Sequence, residues 1–420
     1  MAQESLHIGE RAVWGGVQPF GLTPSDRARH LYCVGQTGTG KSTLLRNLLA
    51  QDIRAGEGVA LIDPHGDLAH EVCDLVPAHR IDDVVVLDPT DTAHVPGFNL
   101  FYRVPEDERA LVASNITATF KHVWSDSWGP RLEYILRNTI RLVLDAPDRL
   151  RPSFLSIPRA LVETSYRQAL LEHATDSENR RLFEAEFDTW PARQQAEALA
   201  PVQNKLGAVV ANPFVRNIIS QWRPTIDLPR IMAAGHILIV RVPKGAVGEA
   251  QANLLGSFVV SGLVHAAMHD NHARQPFHLY IDEFQNFTTD SFASILSEAR
   301  KYALSLTIGH QFTAQIAEPI RAAVFGNVGN IVSFRVGADD AKRLAHEFAM
   351  ATDRPFQDLR RGEEMARLAC GGEVAAPCAG RTSPHTADHG TRARVLAKSR
   401  RAYTQPRNTV ETRIANWLGK

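Results

Sequence analysis

The 420-residue chain is expected to fold as an α/β protein, with a mostly parallel central sheet and an all-α insertion in its middle. Three observations lead there. Short apolar runs, each followed by Gly or Asp, alternate with helical periodicity near the N-terminus. The strand signal then disappears from about residue 106 to residue 223. It returns at residue 236 with four more apolar runs. Strands alternating with helices build a parallel sheet, because parallel neighbours must be joined by a crossover.

Residues 30–34 form the first strand of this series, and the glycine-rich loop 35–40 follows it. A helix then runs from about Ser42, with Leu44, Leu45, Leu48, Leu49 and Ile53 on one face. Residues 58–62 and 84–87 are the next strands; the first leads into Asp63-Pro64-His65-Gly66-Asp67 and the second into Asp88-Pro89. In the strandless stretch, Leu132, Ile135, Leu136, Ile140, Val143 and Leu144 keep helical spacing. Trp124 and Trp128 lie just upstream and read as core aromatics, with base stacking as the alternative. The runs 236–242, 277–281, 304–308 and 331–336 resume the sheet. The apolar stretch 252–268 is broken by Asn253, Gly256, Ser257, Gly262 and His265, and is short for a membrane span, so it reads as a buried core helix. After about Asp353 the chain reads as irregular. A last helix starts near Asn408, where Asn408 and Glu411 have capping-box spacing and Val410, Ile414 and Trp417 share a face. The expected divisions are an N-terminal extension over 1–29, core segments over 30–104 and 231–352, a helical insertion over 105–230 and a C-terminal extension over 353–420.

Composition narrows the function classes. The 46 basic and 46 acidic residues cancel, so total charge makes no case for nucleic acid. Cys33, Cys73, Cys370 and Cys378 form no CxxC pair, which argues against zinc or redox chemistry and for free thiols in a reducing cytoplasm. The first ten residues lack the layout of a signal peptide, and the chain is expected to be soluble and cytoplasmic. His385 and His389 have HxxxH spacing, but in a Gly-rich stretch they read as surface residues rather than metal ligands.

Chemistry is concentrated in two places. Gly35-Gln36-Thr37-Gly38-Thr39-Gly40-Lys41-Ser42 fits G-x4-G-K-[ST] completely. Its glycines let backbone N–H groups curl around phosphates, and the following helix adds the positive end of its dipole. Lys41 is placed to reach the β- and γ-phosphates of ATP and the Ser42 hydroxyl to hold Mg2+; Thr43 completes the nucleotide-binding set. The second place is Asp282-Glu283, at the end of an apolar strand. Two adjacent carboxylates there are costly unless used, and open α/β sheets bind ligands along that edge. Asp282 is expected to bind Mg2+ through water and Glu283 to polarise the attacking water. Gln311, after the run 304–308, can donate and accept and suits sensing of the γ-phosphate, a surface turn being the alternative. Arg300 and Lys301 read either as a solvated helix end or as a group aimed at a neighbouring subunit's ATP. Asp63-Pro64-His65-Gly66-Asp67 reads either as a structural turn or as a border of the nucleotide or of a subunit interface.

The phosphate loop, the helical insertion, Tyr280-Ile281-Asp282-Glu283-Phe284-Gln285-Asn286-Phe287, Glu298-Ala299-Arg300-Lys301-Tyr302 and Gly309-His310-Gln311 together resemble the HerA/FtsK superfamily of ring ATPases. Within it they are most similar to the TraG/TraD-like coupling proteins of conjugation and type IV secretion, as are residues 62–67, Ser399-Arg400-Arg401-Ala402-Tyr403 and Val410-Glu411. The resemblance covers nearly the whole chain from about Phe20. It implies a RecA-like P-loop NTPase core that assembles as a homo-oligomeric, hexameric ring and pulls DNA through a central channel. It carries the Walker lysine onto Lys41, the Walker B acids onto Asp282 and Glu283, an arginine finger onto Arg300 and a sensor glutamine onto Gln311. The insertion corresponds to the all-α domain of coupling proteins. Two departures stand out: no transmembrane helices, and no β-barrel of the HerA type before the first strand. The expected function is therefore an ATP-driven DNA translocase without a membrane span, with a protein partner encoded nearby; a protein-moving motor and a nucleotide-switched recruiting module are the alternatives.

Overall fold

The computed structural model describes residues 5–269, 275–289, 292–384 and 386–419. Among the described residues, eleven strands make the main sheet. A hairpin pairs β1 (Leu6–Val13) with β2 (Gly16–Leu22). Then come β3 (Leu31–Val34), β4 (Gly58–Asp63), β5 (Val84–Leu87), β6 (Ile237–Arg241), β7 (Phe277–Ile281), β8 (Leu304–His310) and β9 (Asn330–Ser333). The last two are β10 (Glu363–Arg367) and β11 (Cys378–Thr382). Their spatial order is β2-β1-β11-β10-β9-β3-β8-β7-β4-β6-β5.

The seven strands from β9 to β5 are parallel to one another. Apart from Arg241 at the end of β6, all their residues are buried. That is why they read as unbroken apolar runs rather than as alternating ones. The sheet is RecA-like in arrangement: β8 lies between β3, which carries the phosphate loop, and β7, which carries the acidic pair. The helix Lys41–Ala55 follows the loop and ends at Gly56 in the left-handed conformation (φ 87°). Its predicted apolar face, Leu44, Leu45, Leu48, Leu49 and Ile53, is completely buried. The helix Glu249–His269 buries Ala252, Leu254, Leu255, Phe258, Val259 and Leu263. Among the described residues no helix is long and apolar enough to cross a membrane.

The chain divides into two compact units, one of residues 1–87, 228–242 and 266–399, the other of 88–227, 243–265 and 400–420. The first holds the sheet. The second is mainly helical, built on Arg109–Val123, Pro130–Leu144 and Ala192–Val210, with Phe120 stacked on Phe154 at 6.0 Å. It also pairs two short strands, His94–Pro96 and Thr404–Pro406.

These boundaries correct the expected ones at both ends. The described part of the expected 1–29 extension, residues 5–29, is not separate, because β1 joins the main sheet through β11. Nor is 353–420 one irregular tail: β10 and β11 add antiparallel strands beside β9, while the last helix belongs to the helical unit. β10 buries Glu364, Met365 and Ala366 in a row, but with a buried glutamate and charged residues at both ends, Glu363-Glu364-Met365-Ala366-Arg367 does not register as an apolar run. The capping box is also corrected. The final helix runs over Arg407–Leu418 with Pro406 at its N-cap and no side-chain cap, and Glu411 bonds Arg407 (2.8 Å) and Asn217 (3.0 Å) instead. Val410 and Ile414 are buried as expected. Trp124 and Trp128 are half-buried; Trp124 stacks on Phe120 at 5.3 Å and Trp128 donates to Glu133 at 2.7 Å.

Candidate nucleotide site

The loop after β3 is shaped by two glycines with positive φ, Gly38 (76°) and Gly40 (137°), a region that side chains beyond glycine seldom enter. Its underside rests on the fully buried Phe334. A Cβ added at Gly35 or at Gly40 comes within 2.6 Å of that side chain. The first and last glycines of the motif are therefore required by packing as well as by any ligand. Further bonds hold the ring of backbone: Gly35 N–H to the His310 carbonyl (3.2 Å), Gln36 N–H to that of Arg335 (2.9 Å) and Gly362 N–H to that of Thr39 (2.8 Å). The Thr39 hydroxyl donates to the Gln36 carbonyl at 2.6 Å. Lys41 is buried and its Nζ donates to the Gly35 carbonyl at 2.5 Å and the Gln36 carbonyl at 3.4 Å. Gln36, Thr37, Gly38 and Ser42 are exposed, and Thr43 is half-buried. The N–H groups of Lys41, Ser42 and Thr43 open the helix and have no acceptor within it. They give this rim a positive partial charge.

The acidic pair leaves the end of β7. Asp282 N–H still bonds the Ile62 carbonyl of β4 (3.1 Å), so the sheet fixes its position. Glu283 then turns into the left-handed region (φ 47°, ψ 51°), strained for a glutamate and persisting only because its surroundings hold it. Glu283 N–H donates to Asp282 Oδ1 at 3.0 Å. Gln285 Nε2 donates to Glu283 Oε2 at 2.9 Å and Gln311 Nε2 to Oε1 at 2.8 Å, so both carboxylate oxygens are held. Burial, then Glu283 and Asp63, push the Asp282 carboxyl up to about 6, with Lys41 acting in the opposite sense. Gly309 on β8 faces this carboxylate. A Cβ there lies 2.9 Å from Asp282 Oδ1 and 3.3 Å from Leu45 Cδ1.

Lys41, Asp282, Glu283 and Gln311 thus share the C-terminal edge of the parallel strands. Asp63 stands at the same edge, but its oxygens accept from His65 N–H (2.9 Å) and Ala69 N–H (2.8 Å) and hold the start of the helix Asp67–Leu75. Arg300 is elsewhere. It precedes β8, whose seven residues separate it from Gln311 by roughly 20 Å of strand. It is exposed and lines a cavity of about 680 Å³ with Leu6, Arg27, Asp52, His278 and Ser305. Below it, Arg27 Nη1 donates to Asp52 Oδ1 at 2.6 Å, and the Tyr280 hydroxyl bonds the other oxygen. His385 lies outside the described residues; His389 donates its backbone N–H to the Asp74 carbonyl at 2.7 Å.

Sequence reasoning missed Phe334, Gln285 and His310. His310 is completely buried between Tyr32, whose hydroxyl lies 3.1 Å from Nδ1, and Phe284. Burial, aided by Lys41, lowers its pKa to about 3, so it stays neutral. The only sequence signal for Phe334 was its place at the end of an apolar run; no pattern ties it to a loop three hundred residues away.

A phosphate loop on one strand, an acidic pair two strands away and a glutamine on the strand between them define a P-loop nucleoside triphosphatase with a RecA-like core. Residues 10–104 match the family model of the helicase HerA central domain. The bacterial conjugative coupling protein TrwBdeltaN70, unbound, aligns with 16% identity and a TM-score of 0.65, over 91% of this chain and 90% of that one. The plasmid coupling protein TrwB in complex with ADP and Mg2+ gives 16% and 0.66 over 93% of both chains. VirB4 of Thermoanaerobacter pseudethanolicus gives 15% and 0.58 over 90% of this chain and 96% of that one. No curated protein matches the chain by sequence. The chain has the fold of a HerA/FtsK-type P-loop ATPase, in the architecture of TraG/TraD-like coupling proteins.

Proposed function

We propose that this protein is an ATP-driven DNA translocase whose copies hydrolyse ATP in a ring, hexameric in the coupling-protein manner. The observation that carries the ATPase reading is the Gln311–Glu283 bond at the mouth of the phosphate loop. The 2.8 Å bond from Gln311 Nε2 to Glu283 Oε1 supports reading the first as a γ-phosphate sensor and the second as a general base. On ATP binding, Lys41 leaves the Gly35 and Gln36 carbonyls for the β- and γ-phosphates. The loop N–H groups bond the phosphate oxygens. Gln311 turns from Glu283 to the γ-phosphate, which frees Glu283 to orient water and take its proton.

The residues present suit Mg2+. A phosphate-bound Mg2+ keeps several waters and needs few protein ligands, and the exposed Ser42 hydroxyl with the Asp282 carboxylate meets that need. Among the described residues there is no cluster of three or more acidic, His or Cys side chains that would suit an all-protein metal cage instead. Bound there, Mg2+ neutralises charge on the phosphate oxygens. The plasmid coupling protein TrwB has been solved with ADP and Mg2+ and with a non-hydrolysable ATP analogue, which supports the same ligands here.

Arg300 serves a neighbour in this reading. It stands at the opposite edge of the sheet from its own phosphate loop, so the γ-phosphate it neutralises belongs to the adjacent copy. The DNA substrate rests on the coupling-protein fold. A protein-moving motor on the same fold is the second reading. The deciding measurement is steady-state ATPase activity with and without single- or double-stranded DNA at low salt. DNA stimulation that weakens as salt rises is expected, because phosphate contacts release counterions. Hydrolysis unaffected by either DNA form overturns the DNA reading and leaves the protein-moving one.

A further inference from the structure

The helical unit has a cavity of its own, about 490 Å³, away from every residue discussed above as catalytic. Arg151, Arg223 and Arg413 converge on it with Trp222 and Trp417, and no Asp or Glu is among its lining residues. None of the three arginines has a carboxylate partner among the described residues. Arg223 lies over the Trp222 ring at 4.3 Å and Arg151 at 5.9 Å, while Arg413 bonds the Gln405 side-chain oxygen. Trp417 is fixed in turn by Arg159, which lies over its ring at 4.6 Å and donates to its carbonyl at 2.9 Å. Arg151 takes a left-handed backbone (φ 54°) at the rim, and Leu155 and Ile414 supply apolar wall.

Cations gathered without counter-charge favour an anion. Guanidinium forks grip phosphate oxygens in pairs, and stacking on indole rings orients them in advance. The planar walls and apolar lining suit a flat base better than a carboxylate side chain, because bases stack both on aromatic rings and on guanidinium planes. We propose that this cavity binds a nucleotide unit of single-stranded nucleic acid, with its phosphates on Arg151, Arg223 and Arg413 and its base against the tryptophan wall. The inference rests on the nucleic-acid reading above and adds a site for the strand outside the ATPase core.

The test is fluorescence anisotropy of a labelled short oligothymidylate with the full chain and no ATP, comparing wild type with the double variant Arg151→Ala, Arg413→Ala. Affinity is expected to fall about tenfold or more, and the log affinity–log salt slope to lose about 1.4, or about 0.7 for each lost contact to a single strand. Arg413→Lys, which keeps charge but loses the fork, should fall between. Circular dichroism and DNA-free ATPase activity should match wild type in all variants. A 5-iodouracil oligonucleotide should cross-link to peptides carrying Trp222 or Trp417. Unchanged affinity in the double variant, or cross-links only elsewhere, overturns the site. Displacement by polyglutamate but not by oligonucleotide overturns it in favour of an acidic peptide. Displacement by thymidine monophosphate at the same nucleotide concentration as the strand overturns it in favour of a free nucleotide. Binding through the cavity with no ATPase stimulation keeps this site and removes the motor; stimulation with the cavity variant unaffected does the reverse.

Discussion

The two ends of the parallel strands differ in completeness. At the C-terminal edge, Lys41, Asp282, Glu283 and Gln311 are assembled, largely buried and hydrogen-bonded to one another or to the loop. At the N-terminal edge, Arg300 is exposed above a cavity, with no phosphate loop near it in its own chain. The contrast teaches that the two edges are built differently: one gathers interlocked polar side chains beside the loop, the other leaves an arginine free to reach outward. In the ring proposed above, a second copy placed head to tail would bring the two edges together, a heterologous contact that closes into a ring where the rotation between copies closes.

Lys41→Ala should abolish turnover, the largest expected effect. The protein should remain folded, because the Lys41 ammonium bonds only carbonyls of its own loop, a net stabilisation of about 1.5–3 kcal/mol. Full turnover in a folded variant would break the assignment of the C-terminal edge. Arg300→Ala should bind ATP and assemble, yet hydrolyse about a thousandfold more slowly, the lower end for a lost arginine finger. Mixing it with Lys41→Ala protein should restore part of the activity, once mixed-tag pull-down shows that subunits exchange. A fully active Arg300→Ala monomer, seen by light scattering and turnover together, would remove the shared site.

Glu283→Gln should lower turnover by about two orders of magnitude with nucleotide affinity retained, as expected for a lost base. Titration beside steady-state rates separates this from a structural role, in which binding fails too. Gly309→Ala pushes a methyl against Asp282 and Leu45. It should cost about 1–3 kcal/mol in chemical denaturation, the usual range for overpacking. No loss of stability would show that this edge is looser than its geometry implies.

The antiparallel wing sharpens the comparison through pH. Glu364 on β10 is completely buried, and burial pushes its carboxyl up to about 7 despite a 2.6 Å bond from the Thr382 hydroxyl. A carboxyl raised on folding binds its proton more tightly in the native state. Its contribution is present in full below its unfolded value of about 4.5 and is lost as pH rises through about 7. The loss is on the order of 3 kcal/mol. Denaturation of wild type and Glu364→Gln from pH 4.5 to pH 8 should show a falling difference curve, with the Gln variant relatively more stable at the alkaline end. A flat difference would place Glu364 in a wetter environment than its burial indicates.

What the sequence alone determined is local. The phosphate loop needs a contiguous strand, a glycine pattern and a helix start, all encoded within residues 30–55. Asp282-Glu283 at the end of an apolar run needs only its own strand, and the seven parallel strands were legible because burial on both faces makes their residues uniformly apolar. The four antiparallel strands were not, since Glu364 is polar and buried while β2 is largely solvated, and neither makes an apolar run. Tertiary structure decided what depends on strand order. With β8 between β3 and β7, Gln311 meets Glu283, Gly309 makes room for Asp282, and Arg300 is carried to the far end. It also set Phe334 beneath the loop and bent Glu283 into a left-handed turn. These are contacts between residues distant in sequence, fixed by packing and pairing across the sheet, and no local pattern of residues encodes them.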